Sequence, residues 1–215
     1  MEIFRLIFSP IEVNTYILAD KSGECAVIDC GCYTSEEFER LSDFMEMKKT
    51  KPVLLLNTHC HLDHVFGNAS FREKYDLNAW CHELEEENRV NSVRQALLFG
   101  LRMDNPPAPG RFLGDGETVA FGSVNLEVLH VPGHTPGSIA FYDKCDNAVF
   151  TGDALFSGSI GRTDLPGGDF ETLIQSIKNK LFVLPPSTIV YPGHGSSTTI
   201  EKELRTNPFF SDQNG

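Results

Sequence analysis

The chain has 215 residues, 40% of them hydrophobic and 22% charged, which is typical of a soluble globular protein and excludes a disordered one. Its formal net charge of -12 at pH 7 disfavours nucleic acid as a partner, because phosphate backbones attract basic surfaces. No stretch approaches the roughly 20 consecutive apolar residues that cross a bilayer, and Glu2 and Glu12 interrupt the start where a signal peptide would be apolar, so we expect a cytoplasmic protein with no membrane partner.

The first half of the chain begins with strand patterns and a helix. β-prone runs separated by turns cover residues 3–8, 15–19 and 26–28. Thr34 stands three residues before Glu37, a capping-box spacing that predicts a helix over about residues 35–48. The continuous apolar run 53–56 then predicts a strand that is covered on both faces.

A second helix is predicted over residues 83–101. Its first turn is acidic, and we expect the glutamates of residues 83–87 to face solvent. The apolar stripe expected to face the core consists of Val90, Val93, Leu97 and Leu101.

Strand patterns return in the second half, over residues 124–131, 138–142 and 148–150. Asp169 is placed to cap a helix whose apolar positions are Leu173, Ile177 and Leu181, and a strand follows over residues 188–191. Strands followed by a helix thus occur twice. The chain therefore has two similar halves, with no linker that would separate two domains.

Five of the seven histidines come just after predicted strands, beside glycines or acids. His59 and His61 stand two residues apart, so their imidazoles point the same way on an extended backbone. Asp63 and His64 follow where the chain turns into a helix, and they could serve a second ion. This spacing arises by chance in roughly one such sequence in a thousand, so we interpret the segment as metal-binding.

Three further side chains extend this set. His134 lies in a tight turn of two prolines and two glycines that follows a strand. Asp153 comes directly after a strand that ends in a glycine, and it is placed to be a carboxylate that bridges two ions. His194 also follows a strand directly. The recurrent placement at strand ends predicts that these side chains meet.

The residue types indicate the chemistry of the site. Nitrogen and oxygen ligands without thiolates favour zinc, with iron or manganese as alternatives. Two divalent ions that share a carboxylate would lower the pKa of a bridging water toward neutrality and so supply a hydroxide nucleophile. The sequence therefore predicts metal-assisted hydrolysis.

Residues 58–64 resemble the T-H-x-H-x-D-H motif of the metallo-β-lactamase superfamily, and the resemblance extends over the whole chain. It implies an α+β fold, a four-layer αβ/βα sandwich of two mixed sheets with outer helices, formed by residues 1–215 as a single domain. It also implies two divalent ions. One would be held by His59, His61 and His134, and the second by Asp63, His64 and His194, with Asp153 bridging both.

Within that superfamily, residues 152–156, 161–162 and 192–195 are similar to the short glyoxalase II-like hydrolases, thioesterases of the S-lactoylglutathione type. The resemblance implies a small-molecule thioester as substrate and a catalytic role for Asp63 and Asp153. Arg162 matches the basic position that meets a glutathione carboxylate, although it could instead pair with Asp164. Classical members carry tyrosines where this chain has Asp164 and Ser196, and we expect no counterpart of their C-terminal helical domain.

Three other functions fit the sequence less well. A mononuclear iron persulfide dioxygenase shares residues 161–164, but in that branch the last histidine usually precedes Asp-Tyr, whereas Gly195 follows His194 here. RNA phosphodiester hydrolysis in the superfamily needs basic surfaces that this acidic chain lacks. A purely structural metal site is usually closed by four ligands and often by cysteines. The thioesterase is therefore the preferred interpretation.

The remaining polar residues are assigned to supporting roles. Asp29 is expected either to accept a hydrogen bond from a ligand imidazole or to serve in a helix cap or a turn. His82 and His130 fit no ligand position. Cys60 alternates between two histidines and should point away from the metals. The six cysteines are expected to be free thiols.

Overall fold

Two six-stranded mixed sheets form the centre of the molecule in a computed structural model that describes residues 1–210. The first sheet has the order β1-β2-β3-β4-β5-β6. Its strands are β1 (Glu2–Phe8), β2 (Val13–Ala19), β3 (Glu24–Ile28), β4 (Lys51–Leu56), β5 (Ala79–Cys81) and β6 (Arg111–Phe112). The first three strands pair antiparallel and the last four pair parallel.

The second sheet has the order β14-β13-β10-β9-β8-β7. Its strands are β7 (Thr118–Phe121), β8 (Val124–His130), β9 (Ile139–Asp143), β10 (Ala148–Gly152), β13 (Ile189–Pro192) and β14 (Thr198–Thr199). Strands β10 and β13 are parallel, and the other neighbours are antiparallel. A separate small hairpin joins β11 (Leu155–Phe156) to β12 (Ser159–Ile160).

Six α-helices are distributed over the described residues: α1 (Ser35–Met47), α2 (Leu62–Val65), α3 (Asn68–Tyr75), α4 (Glu86–Leu98), α5 (Phe170–Ser176) and α6 (Ile200–Thr206). A short 3-10 helix, Glu83–Glu85, leads into α4, and the π-helical turn Ile177–Leu181 continues α5. The predicted caps of α1 and α5 are confirmed, because Thr34 accepts from the Glu37 N–H and Asp169 from the Thr172 N–H. Within residues 1–210, no helix is long and apolar enough to span a membrane.

The main core lies between the two sheets. Large buried side chains from the first sheet meet those of the second, among them Leu18, Ile28, Leu56, Leu126, Phe141 and Phe150. Helices α1 and α3 cover the outside of the first sheet, and α5 with its π-helical turn covers the outside of the second. The predicted α+β arrangement of two mixed sheets with outer helices is therefore confirmed.

The apolar stripe predicted for the second helix is wrong. Val90 and Leu97 are 60% and 61% exposed, whereas the buried face of α4 consists of Asn88, Ser92 and Ala96. Hydrophobic periodicity misidentifies this face because its polar groups are satisfied locally. Ser92 donates to a backbone carbonyl one turn earlier, and Asn88 donates to a buried carboxylate.

Several short elements were not predicted: α3, β5, β6, β7 and α6. Strand β6 has two residues and β5 has three, too few to show an alternating pattern. Helix α3 buries Phe71 and Asn68 alone among its residues. Elements of this kind depend on tertiary contacts and leave little periodicity in the sequence.

Candidate metal centre

All seven predicted ligand side chains lie at one edge of the two sheets. His59 and His61 follow β4, and Asp63 and His64 belong to α2. The other three belong to the second half of the chain: His134 follows β8, Asp153 follows β10 and His194 follows β13. The edges of the two halves meet here, since Val13 of β2 forms an isolated β-bridge with His194.

The first cluster contains three buried imidazoles, those of His59, His61 and His134. The Nε2 atom of His134 lies 2.9 Å from Nδ1 of His61 and 3.2 Å from Nε2 of His59. Three ring nitrogens that converge this closely can share one cation, because each neutral imidazole has one lone pair to offer.

The second cluster contains Asp63, His64 and His194. The Nε2 atoms of His194 and His64 lie 3.1 Å and 3.6 Å from Oδ2 of Asp63. Asp153 stands between the clusters: its Oδ1 is 3.4 Å from His64 Nε2, and its Oδ2 is 3.7 Å from His134 Nε2. This carboxylate can therefore reach into both clusters.

Two buried polar atoms support cation binding. His64 Nε2 and Asp153 Oδ1 have no hydrogen-bond partner, although both are inaccessible to solvent. Buried polar atoms are almost always satisfied in folded proteins, so orphaned atoms that face each other across a cluster of ligand atoms fit a bound ion. The nitrogen and carboxylate donors suit a divalent zinc, iron or manganese ion.

The electrostatics differ between the two clusters. Burial, together with neighbouring imidazoles, holds the pKa of His59 well below its usual value and lowers that of His61 to about 3, so both rings are neutral near pH 7. Burial also opposes charge on His64 and His194, but the carboxylates of Asp63 and Asp153 outweigh it and raise the pKa of both imidazoles.

The attraction between imidazoles and carboxylates also shifts the pKa of the two acids. Burial favours the protonated form of Asp63 and Asp153, but the imidazoles of His64 and His194 together outweigh burial and lower the pKa of both groups. Asp63 and Asp153 are therefore ionised near pH 7. In the second cluster and at Asp153, the negative charges of the carboxylates and the positive charges of the imidazoles therefore stabilise each other in a buried setting.

Hydrogen bonds from the far side of each ring orient the imidazoles. His134 Nδ1 donates to the carbonyl of Arg162 at 2.8 Å, and His194 Nδ1 donates to that of Glu12 at 3.2 Å, so that Nε2 of each ring faces its cluster. His64 Nδ1 donates to Oδ2 of Asp29 at 2.9 Å, which is one of the alternative roles that the sequence offered for Asp29. Such partners fix the tautomer and the direction of a metal-binding imidazole.

Two glycines allow the chain to pass close to the site. A Cβ on Gly193 would overlap Oδ1 of Asp153 and crowd the ring of His64. Gly152 has a φ of +50° and would place a Cβ against the hydroxyl of Thr58. Gly193 therefore requires glycine because the site residues Asp153 and His64 pack against its backbone, and Gly152 because of its positive φ and the contact with Thr58.

Arg162 borders the site but does not lie inside it. Its side chain is 56% exposed and binds Asp164 through two hydrogen bonds, Nε to Oδ1 at 2.8 Å and Nη2 to Oδ2 at 2.7 Å. Beyond this segment, a groove of about 370 Å³ separates α4 from the loops that carry Pro136 and Pro166.

The structure also places the residues that sequence analysis left outside the metal set. Cys60 is buried beside Val65 and Cys81, away from the clusters. His82 and His130 stack on each other with ring centroids 4.4 Å apart, and neither belongs to a cluster. Glu85, which the sequence predicted to be solvent-exposed, is fully buried. No pattern in the sequence distinguishes it from the glutamates on either side.

The family model and the sequence relatives assign the chain to the same protein superfamily. The family model described as the metallo-beta-lactamase superfamily matches residues 9–194. The hydroxyacylglutathione hydrolase GloC of Haemophilus influenzae is 38% identical over 215 residues, which cover 99% of this chain and 100% of the relative.

Two solved structures share the fold over nearly their whole length. The BLEG-1 B3 metallo-beta-lactamase has a TM-score of 0.90 and 32% sequence identity, covering 98% of this chain and 100% of that chain. TTHA1623 in a di-iron-bound form has a TM-score of 0.88 and 41% identity, covering 96% of this chain and 99% of that chain.

Proposed function

Because this chain belongs to the metallo-beta-lactamase superfamily, we propose that it is a metal-dependent thioesterase of the glyoxalase II type. Its substrate would be S-lactoylglutathione or a related small acyl thioester. The observation that carries the proposal is the pair of adjoining clusters with the Asp153 carboxylate between them. The similarity to GloC over the whole chain supports a thioester as the substrate class.

The proposed metal set follows the two clusters. His59, His61 and His134 would hold one divalent ion, Asp63, His64 and His194 the second, and Asp153 both. Zinc is the proposed metal, with iron or manganese as alternatives, and the di-iron form of TTHA1623 shows that a structural relative takes iron. When bound, two such ions lower the pKa of water and polarise a carbonyl, the chemistry that hydrolysis requires.

Two ionised carboxylates, those of Asp63 and Asp153, would take part directly in the hydrolysis. We assign Asp63 and Asp153 the task of accepting hydrogen bonds from the attacking water and so directing its lone pair at the thioester carbonyl. The water oxygen bonds to the carbonyl carbon, the C–S bond breaks, and the sulfur leaves with the electron pair as a thiolate while a proton passes to solvent. A thiol with a pKa of about 8.5 leaves without a general acid.

The surroundings of the site support a small anionic substrate. Arg162 is exposed beside the His134 loop, and we propose that it meets the acidic end of the thiol carrier. The cysteines of the chain are free, which fits the reducing cytoplasm that we propose as its location.

The test of the proposal combines metal analysis with an assay. We expect the purified protein to hold about two zinc-like ions and to hydrolyse S-lactoylglutathione. We expect an Asp153→Asn variant to lose at least about 100-fold in turnover, because the shared carboxylate is removed. Asp43→Asn, an exposed change on α1, is the matched control and should retain full activity.

Three results would redirect the proposal. Two bound ions without thioester turnover would reject the substrate and keep the hydrolase. Turnover of a β-lactam instead would align the chain with the structural neighbour BLEG-1. One bound iron with oxygen consumption on glutathione persulfide would replace the hydrolase by the mononuclear dioxygenase.

A further inference from the structure

Glu85 is a fully buried acid at the end of the 3-10 helix that leads into α4. Its carboxylate makes no capping bond to its own helix. Instead it accepts three hydrogen bonds: from the Cys60 N–H at 2.7 Å, from the Gly137 N–H at 2.9 Å and from Asn88 Nδ2 at 3.0 Å. A buried carboxylate with this many donors acts as a fixed junction between the segments that supply them.

The two backbone donors come from the segments that carry the first cluster. Cys60 lies between His59 and His61, and its N–H belongs to the peptide bond that links it to His59. Gly137 belongs to the turn that carries His134. One carboxylate therefore joins the two separate loops from which all three imidazoles of the first cluster project.

The contact at Gly137 is too close for any other residue. A Cβ at this position would lie 2.8 Å from Cγ and from Oε1 of Glu85. The loop is thus pressed directly onto the carboxylate, and the direction of the Gly137 N–H is set by that packing.

We propose that Glu85 is a positioning residue that holds the His59–His61 segment and the His134 turn at the spacing a metal ion requires. It touches neither substrate nor ion and acts through the two backbone N–H groups. The inference rests on the proposed function, because it concerns the affinity and geometry of the first metal position.

Replacement of Glu85 by glutamine tests this role with little change in shape. The side-chain amide would keep one acceptor oxygen and point an NH2 group at one of the two backbone donors. That buried N–H would then have no partner, and one of the two loops would lose its anchor. Loss of such an outer hydrogen bond typically weakens metal binding about 10- to 100-fold.

The experiment is a Co2+ titration of metal-free wild-type protein, of Glu85→Gln and of Glu83→Gln, followed by the visible absorption of the bound cobalt. Glu83 lies two residues away in the same short helix and is exposed, so it is the matched control. We expect Glu85→Gln to bind one Co2+ about 10- to 100-fold more weakly, with an altered spectrum. The second Co2+ should bind as in the wild type, and Glu83→Gln should match the wild type throughout.

Amide hydrogen exchange in the metal-free proteins gives a second readout. Exchange at the N–H groups of Cys60 and Gly137 should accelerate in Glu85→Gln, while amides in the sheets remain protected. A folded Glu85→Gln variant with wild-type Co2+ affinities and spectrum would overturn the inference. If that variant does not fold, Asn88→Ala, which removes one donor to Glu85, must weaken the same Co2+ severalfold, and unchanged binding in it also rejects the role.

The outcomes separate this inference from the proposed function. Wild-type protein that binds no Co2+ would remove the metal-dependent function and this inference together. Wild-type protein that binds two Co2+ ions, with Glu85→Gln unaffected, would remove the positioning role alone.

Discussion

Asp164 lies where it would compete with the proposed anionic substrate for the charge of Arg162. Its carboxylate binds the guanidinium in a fork geometry, and those hydrogen bonds lower the pKa of Asp164 to about 2. The acid is therefore ionised throughout the physiological range. An anionic thiol carrier must displace it to reach Arg162, whereas a neutral carrier need not.

Replacement of Asp164 by asparagine should therefore change the substrate preference. We expect kcat/KM for S-lactoylglutathione to rise about two- to threefold, a small factor because exposed ion pairs are weak. The neutral S-lactoyl-N-acetylcysteamine should be hydrolysed at the wild-type rate. Steady-state kinetics on both thioesters checks the prediction, and an equal change for both would show that Asp164 does not act through charge.

His82 should contribute to the loss of stability in acid. Burial and the stacked ring of His130 lower the pKa of His82, and this outweighs the opposite influence of Glu83, Glu85 and Asp115. The unfolded state, in which the pKa is near 6.5, therefore takes up a proton more readily than the folded state. This contribution to stability is present above that value and declines as the pH falls below it.

The corresponding test uses a His82→Asn variant. Between pH 7 and pH 5, its free energy of unfolding should fall less than that of the wild type, since one proton-linked group is missing. Urea unfolding at three pH values measures this difference, and the metal-site groups common to both proteins cancel in the comparison. Parallel curves for the two proteins would contradict the prediction.

At the residue scale, sequence reasoning could find the predicted ligand set and offer Asp29 as one support, but it could not find Glu85. His59 and His61 can be recognised in the sequence by their spacing and residue type. The structure brings all seven predicted side chains together. Their role as ligands stays a prediction. The proposed role of Glu85 could not be predicted, because it depends on contacts with two loops that are distant in sequence. The acidic residues on either side of Glu85 also suggest an exposed position, although its side chain is buried.

At the scale of elements, the confirmed predictions are those with local causes. Helix α1 begins where Thr34 caps it, and α5 begins where Asp169 does. The face of α4 could not be predicted, because its direction is set by contact with α2 and by the bond from Asn88 to Glu85. Exposure of Val90 and Leu97 is the result of that tertiary arrangement.

At the scale of the whole molecule, large apolar clusters fill the space between the two sheets and beneath the outer helices. Packing of apolar surface is the dominant stabilising term in folding. The fold should therefore not depend on metal, although the bound state should be more stable.

Chelation tests this independence. We expect protein freed of metal to lose its hydrolase activity and to retain its far-UV circular dichroism at 25 °C. Its Tm should fall by on the order of 10 °C if the ions were bound at about 1,000 times their Kd. Activity should return when zinc is added back. Unfolding at 25 °C on chelation would instead assign the metals a structural role.

The bridge between Val13 and His194 has a consequence for biosynthesis. A ribosome releases the first sheet, with His59, His61, Asp63 and His64, before it releases His194, the last of the predicted ligands. Domains begin to fold from the N-terminus as the chain emerges. His194 reaches its place beside β2 only after the other six predicted ligands have been made. The first cluster can therefore assemble once His134 has been made, whereas the second cluster waits for His194, so the two proposed metal positions would be completed one after the other.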